Sequence, residues 1–280
     1  MMKQILGDNQ FFGVNHYDIN KGQVVQNKFN SNDTIITFIN DAINLGLNGF
    51  MINSNSRGYQ IVNSISNTTK GEIHYSIPYP HNFAAMVNEG GMLTVLKYVI
   101  AKSTFKSLFI HFPRFFFTGN IKYIIPLILD LEIPINLKKG SFIYLQNIVT
   151  DLLIGMKRND LLEVFCKLII KKGFMPGLIT LNPVILDDIL TKFDYEIQKK
   201  LILCFNINNR GFNVFPNLND VELFIYKKSL YKKMGMSILS SGGVKNIHEA
   251  LFYIKNLPLE YVVYGSSSIK NVQTNYNILK

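Results

Sequence analysis

The sequence predicts a (β/α)8 barrel, eight parallel strands closed inside a ring of helices, and three observations predict it. Short β-type runs alternate with longer stretches of helical period along the 280 residues. No break in composition divides the chain, so the alternation belongs to a single domain, 1–280. The stretch ILGDNQFFG after the first β-type run lacks the GxGxxG that a doubly wound open sheet would place there.

Strands are expected in order at Gln4–Leu6, Gly49–Asn53, Ile73–Ile77, Leu108–His111, Gly177–Leu181, Leu201–Ile207, Gly235–Leu239 and Tyr261–Tyr264. Helical patterns lie between them at Thr34–Leu45, Leu93–Ala101, Asp160–Lys171, Val184–Phe193, Asp220–Tyr231 and Asn246–Asn256. Asp33, Asn159 and Asn219 stand where N-caps belong, and Pro183 where a first-turn proline does. Gly46 and Gly173 stand at the expected helix stops. Residues 115–150 exceed the repeat and read as a long insertion after strand four, packed on the rim or joining two copies of the chain.

Hydrophobic residues are 48% of the chain, ample for a continuous core. The net charge is +10, dispersed in pairs (Lys138-Lys139, Lys171-Lys172, Lys199-Lys200, Lys227-Lys228, Lys232-Lys233) that read as solvated surface, not as a nucleic-acid groove. Cys166 and Cys204 lie in apolar runs and read as buried reduced thiols of a cytoplasmic protein. The start MMKQILGDNQ lacks a signal pattern, and no run of 18 apolar residues suggests a membrane span. The expected partner is therefore a small molecule, with neither nucleic acid nor membrane, and a homo-oligomer through 115–150 is a further expectation.

Sites in such barrels gather at the carboxyl ends of the strands. After strand one come Asp8, Asn9, Gln10 and His16; after strand two Asn53, Asn55 and Arg57. Strand three offers Tyr75, Ser76, Tyr79 and His81, strand four His111 and Arg114, and strand five Thr180 and Asn182. Strand six ends in Asn206, Asn208 and Arg210. Strand seven runs into Ser240-Ser241-Gly242-Gly243 and strand eight into Gly265-Ser266-Ser267-Ser268, each just before a helix. Glycines and hydroxyls ahead of helix N-termini suit phosphate or a cofactor's phosphates, with Arg210 or Lys270 adding positive charge. Asp8, His111 and His16 are the candidate catalytic residues; Asn9, Gln10, Asn53, Asn55, Arg57, Asn206 and Arg210 are the candidate substrate contacts. Tyr59 and Tyr79 read as wall residues. No HxH or HExxH spacing brings His74, Asp8 and His16 into a metal set, so no metal is expected.

Five segments in order carry a resemblance: DAINLGLNGFMINSNSRGYQIVNSI, SLFIHFP, GLITLNPVILDDIL, GMSILSSGG and YVVYGSSSIKNVQTNYNIL. They resemble the second, fourth, fifth, seventh and eighth strand regions of the aldo/keto reductases. The resemblance covers most of the chain except 115–150 and implies a barrel that reduces carbonyls with NADPH. In that family a Tyr donates the proton, a Lys and an Asp tune it, and a His orients the carbonyl. The Asp position falls here on Met51 and the Tyr position near Ser56, while IHYSIPYP holds no Lys; only His111 matches. The amides that clasp the nicotinamide fall on Thr180 or Asn182 and on Cys204 or Asn206. A reductase stripped of three such groups would lose its proton relay. The expectation is therefore an enzyme of non-redox acid–base chemistry (isomerase, epimerase, lyase or hydrolase) on a phosphorylated or sugar-like metabolite. A divergent NADPH-dependent oxidoreductase is the alternative, and a non-catalytic ligand-sensing barrel is the third reading. No cofactor is required by the residues themselves; NADPH is the one the resemblance implies.

Overall fold

Side chains alternate in and out along a strand, and eight parallel strands here use that alternation to separate two cores. The computed structural model describes residues 1–13, 25, 27–79, 88–91, 94, 97–99, 101 and 105–280. The strands are β1 (Lys3–Leu6), β2 (Gly49–Asn53), β3 (Glu72–Ile77), β4 (Phe142–Leu145), β5 (Met175–Thr180), β6 (Ile202–Asn206), β7 (Lys232–Met236) and β8 (Tyr261–Tyr264). They pair in sequence order, and β8 closes on β1 with Ile5 opposite Val263. Inside the barrel Ile5, Met51, Phe142, Tyr144, Ile179, Cys204, Met234 and Val263 fill one apolar core. The alternate residues, among them Leu6, Phe50, Ile52, Tyr75, Leu145, Leu203 and Phe205, face the helices.

The helices with described bounds are α1 (Asn32–Asn44), α2 (Ser56–Ile65), α3 (Phe105–Thr118), α4 (Ile125–Glu132), α5 (Asn147–Gly155), α6 (Asn159–Lys171), α7 (Pro183–Leu190), α8 (Tyr195–Lys200), α9 (Leu218–Tyr226), α10 (Ile247–Lys255) and α11 (Ile269–Leu279). Side-chain caps set several starts: Ser31 accepts from the Thr34 N–H, Asn55 from Gly58, Asn217 from Asp220 and Asn246 from Glu249.

The barrel is as expected, but its fourth strand is elsewhere and its seventh, expected at Gly235–Leu239, lies three residues earlier. Leu108–His111 lies inside α3, and the fourth strand is FIYL at 142–145, with His74 opposite Phe142 on one side and Phe142 opposite Met175 on the other. A short apolar run has no period that separates strand from buried helix, so SLFIHF was open to both. Gly140 and the helix starting at Asn147 delimit the true strand. The extra length thus precedes β4, and 115–150 is no insertion. It contains α4, β4 and the start of α5.

The amino-terminal end of the barrel is closed by charge. Lys3 pairs with Glu72, whose other oxygen meets His74 Nε2 at 3.3 Å, and His74 Nδ1 meets the Tyr144 hydroxyl at 2.8 Å. Burial works to raise Glu72, but its bonds to His74 and Lys3 outweigh that and hold it at about 2. Burial holds His74 down, so the imidazole is neutral. Lys233 departs from the solvated reading of the lysine pairs. It is 3% exposed, and its ammonium donates to the Phe224, Ile225 and Lys227 carbonyls at the end of α9.

Candidate active site

Gly7 donates its N–H to the Tyr264 carbonyl at 2.8 Å, and the chain then turns out of β1 at Asp8. Asp8 Oδ2 accepts the Asn53 backbone N–H at 2.8 Å and the Asn53 side-chain Nδ2 at 2.6 Å. The carboxyl thus spans the ends of β1 and β2. Burial pushes it up and the Asn53 bonds only partly offset this, leaving it at about 6. Asn53 Oδ1 accepts the Asn55 N–H at 3.0 Å, and Asn55 caps α2. Asp8, Asn53 and Asn55 therefore form one relay, with a single carboxyl at its head.

Other expected contacts turn out to be braces. Arg57 donates to Asn32 Oδ1 at 3.0 Å and to the Phe29 carbonyl at 2.9 Å, tying α2 to the start of α1. Gln10 donates to the Gly7 carbonyl at 2.6 Å, while its buried Oε1 has no partner. A Cβ on Gly265 would stand 2.5 Å from that oxygen, the tip of a flexible side chain, so Gly265 lies directly against Gln10. Asn9 is exposed. Asn206 donates to the Asn213 carbonyl at 2.8 Å, and the fully buried Asn208 shapes the same loop by accepting from Arg210 and Phe212.

Arg210 donates to the Gly243 carbonyl and so joins the loops after β6 and β7. Ser240 and Ser241 both take left-handed backbone, φ 47° and 56°, and the Ser240 hydroxyl is buried with no partner. After β8, the Ser266 hydroxyl donates to the Ser268 carbonyl and accepts from the Ser268 N–H, and the Ser267 carbonyl accepts from Lys28. Ser268 precedes α11 without a side-chain cap bond, whereas Asn246 caps α10. The anion-type features at this end are thus the uncapped start of α11 and the Ser240 hydroxyl.

Of the other two catalytic candidates, only His111 can be placed relative to Asp8. His111 lies on α3, off the barrel, and His16 lies outside the described residues. β4 ends at Leu145-Gln146, and Gln146 Nε2 donates to the Ser76 hydroxyl at 3.2 Å. The strand end that the resemblance gave to histidine therefore presents an amide. Among the described residues no group of three His, Cys, Asp or Glu is arranged to hold a metal. Burial pushes both thiols up, so neither is a ready nucleophile.

Two further acids reach strand ends, where Asp8 alone was expected. Glu132, at the end of α4, is buried and accepts the Ser54 hydroxyl; burial pushes it up to about 7. Asp151, on α5, accepts the Thr180 hydroxyl and the Leu181 N–H. Ser54 and Thr180 follow inward-facing Asn53 and Ile179, so these acids sit between sheet and helices, outside the mouth. Neither is legible from strand-end residues, because each arrives on a helix.

Asp8 and Glu132 give stability a readable pH limb. Between about 4 and 6 the folded chain keeps a proton on Asp8 that the unfolded chain releases, and between about 4.5 and 7 the same holds for Glu132. Stability is therefore highest at the acid end of each window and falls as pH rises, by up to about 1.4 kcal/mol per pH unit and group. In urea unfolding from pH 4.5 to 8, Asp8→Asn should flatten the lower part and Glu132→Gln the upper part. An unchanged slope in both variants would contradict the assignment.

No family model matches this chain, and neither does any curated protein. Solved structures do match. A Pseudomonas aeruginosa protein assigned to the aldo-keto reductases aligns over 99% of this chain and 88% of its own, with TM-score 0.58 and 10% identity. An aldo-keto reductase of Bacillus halodurans in its holo form aligns over 99% and 86%, with TM-score 0.56 and 9% identity. One from Brucella melitensis aligns over 99% and 87%, with TM-score 0.53 and 11% identity. The closed (β/α)8 barrel of this chain is thus similar to theirs, a likeness of fold.

NADPH, the cofactor implied by the resemblance, fits one end of the mouth only. The uncapped α11 start and the Ser240 hydroxyl suit phosphate. At the nicotinamide end, Asn182 caps α7, Thr180 bonds Asp151, Asn206 bonds Asn213, and Cys204 faces the barrel core. Asn182 Oδ1 and Asn206 Nδ2 are thus engaged within the chain, Thr180 and Cys204 carry no amide, and Met51, Gln146 and Ser76 cannot relay a proton as an Asp, a His and a Lys do.

Proposed function

We propose that this chain is an enzyme that acts on a small phosphorylated or sugar-like metabolite by non-redox acid–base chemistry, with Asp8 as the proton-transferring group. One observation carries the reading. A carboxyl at the barrel mouth, bonded by Asn53, is raised by burial to about 6, where it takes up and releases protons near neutral pH. The amide and hydroxyl groups around it, Asn53, Gln146 and Ser76, offer donors and acceptors to substrate hydroxyls. The loops after β7 and β8 hold the phosphate in this reading, through Ser240 and the start of α11. Any activity should rise with pH through about 6, as Asp8 becomes a base.

The test is a thermal-shift titration with NADPH, NADH, inorganic phosphate and a panel of hexose phosphates, followed by turnover of whichever sugar phosphate binds. A hexose phosphate should raise the melting temperature by mass action, and NADPH should not at up to about 1 mM. Asp8→Asn should keep binding and lose at least about 100-fold in kcat. Low-micromolar NADPH binding would overturn the proposal in favour of a divergent oxidoreductase.

A further inference from the structure

Helix α3 carries apolar side chains that the barrel does not cover. Phe116 and Phe117 are 74% and 84% exposed, Ile110 is 40% exposed, and Ile121 in the following turn is 46% exposed. Ile110, Arg114 and Phe117 recur at the spacing that places them along one side of α3, which ends at Thr118, and Ile121 follows the turn at Gly119. The Phe116 and Phe117 rings meet edge to face, with centroids 5.8 Å apart.

The sequence of this segment carries charge of one sign. Between Glu89 and Asp130 the sequence holds Lys97, Lys102, Lys106, Arg114 and Lys122 and no acid. Arg114 and Lys122 are both exposed beside the stripe. An apolar stripe edged by cations matches a surface that is anionic at its headgroups and apolar just beneath them. A second copy of the chain fits poorly, since a two-fold contact would set these cations against themselves with no carboxylate in the segment to pair them. Single-stranded nucleic acid also fits poorly, because two of the four apolar groups are aliphatic and the two rings pack on each other.

We propose that this face docks on an anionic membrane surface, with Phe116, Phe117, Ile110 and Ile121 entering the interfacial layer and Arg114 and Lys122 lying among the headgroups. The contact is peripheral; among the described residues no helix is long and apolar enough to cross a membrane. It is independent of the chemistry at Asp8.

The experiment is cosedimentation of the full chain with sucrose-loaded vesicles, either phosphatidylcholine alone or phosphatidylcholine with about 30% phosphatidylserine. The chain should pellet with the mixed vesicles at low salt, release at about 0.5 M salt, and stay in solution with phosphatidylcholine alone. Phe116→Ser with Phe117→Ser should weaken binding by about 100-fold. Arg114→Gln with Lys122→Gln should weaken it by about 30-fold. All four side chains are exposed, so the melting temperature should hold in both variants. No pelleting with mixed vesicles, or equal pelleting of parent and variants, would overturn the proposal. So would a dimer in sedimentation velocity, or binding of a labelled oligothymidylate, that the phenylalanine variants abolish.

Discussion

Gly49→Ala is expected to destabilise the chain by at least about 3 kcal/mol. A Cβ there would lie 2.8 Å from both the carbonyl carbon and the nitrogen of Glu72, and closer still to its oxygen. Those are backbone atoms of the paired strand, with Gly49 opposite Glu72, so no side chain can swing away. Relief requires β2 and β3 to part where Glu72 also donates its N–H to the Asn48 carbonyl, at 2.8 Å. Gly58→Ala repeats the clash at the other end of the segment, against the Asn53 carbonyl, whose carbon would stand 3.3 Å away and its oxygen nearer. Its consequence should reach Asp8, because Asn53 holds that carboxyl. Gly155→Ala is the control. Nothing lies within 4 Å of a Cβ there, at the end of α5, and the unfolded chain loses freedom, so a gain of up to about 1 kcal/mol is expected. Urea unfolding of the three variants checks the set; a neutral Gly49→Ala would contradict the close approach of β2 and β3.

Lys233→Met is expected to cost about 3 kcal/mol or more, an unusual loss for a lysine. The ammonium serves three carbonyls at the end of α9, where the helix dipole is negative, and methionine replaces its stem without replacing a donor. Lys228→Met, at an exposed neighbouring pair, should stay within about 0.5 kcal/mol. Comparable melting of the two variants would show that water, and not Lys233, satisfies those carbonyls.

Both predictions concern features that local pattern does not carry. The pair Lys232-Lys233 reads as solvated, yet strand alternation sends Lys233 outward under α9. The stretch GLNGFMINSNSRGY, residues 46–59, illustrates both sides. Its apolar run and amide-rich end mark a strand arriving at the barrel mouth, and β2 has the expected bounds, Gly49–Asn53. Asn53 was legible there as a polar residue at the strand end, where it bonds Asp8. Arg57 was legible only as a cation, and its bonds to Asn32 and Phe29 depend on where α1 lies.

By itself the sequence determined the alternation of strands and helices, the places of six of the eight strands and the polar residues at their carboxyl ends, Asp8 among them. Those follow from the strand's period of two, the helix's 3.6 and capping chemistry, all written in neighbouring residues. Only the tertiary structure decided which apolar run is the fourth strand and which polar groups are already engaged. Strand pairing chose FIYL over LFIH, since β4 must lie between β3 and β5. Packing brought Glu132 to Ser54 across 78 residues and Arg210 to the Gly243 carbonyl. A hydrogen bond depends on distance in space, and the fold sets that distance.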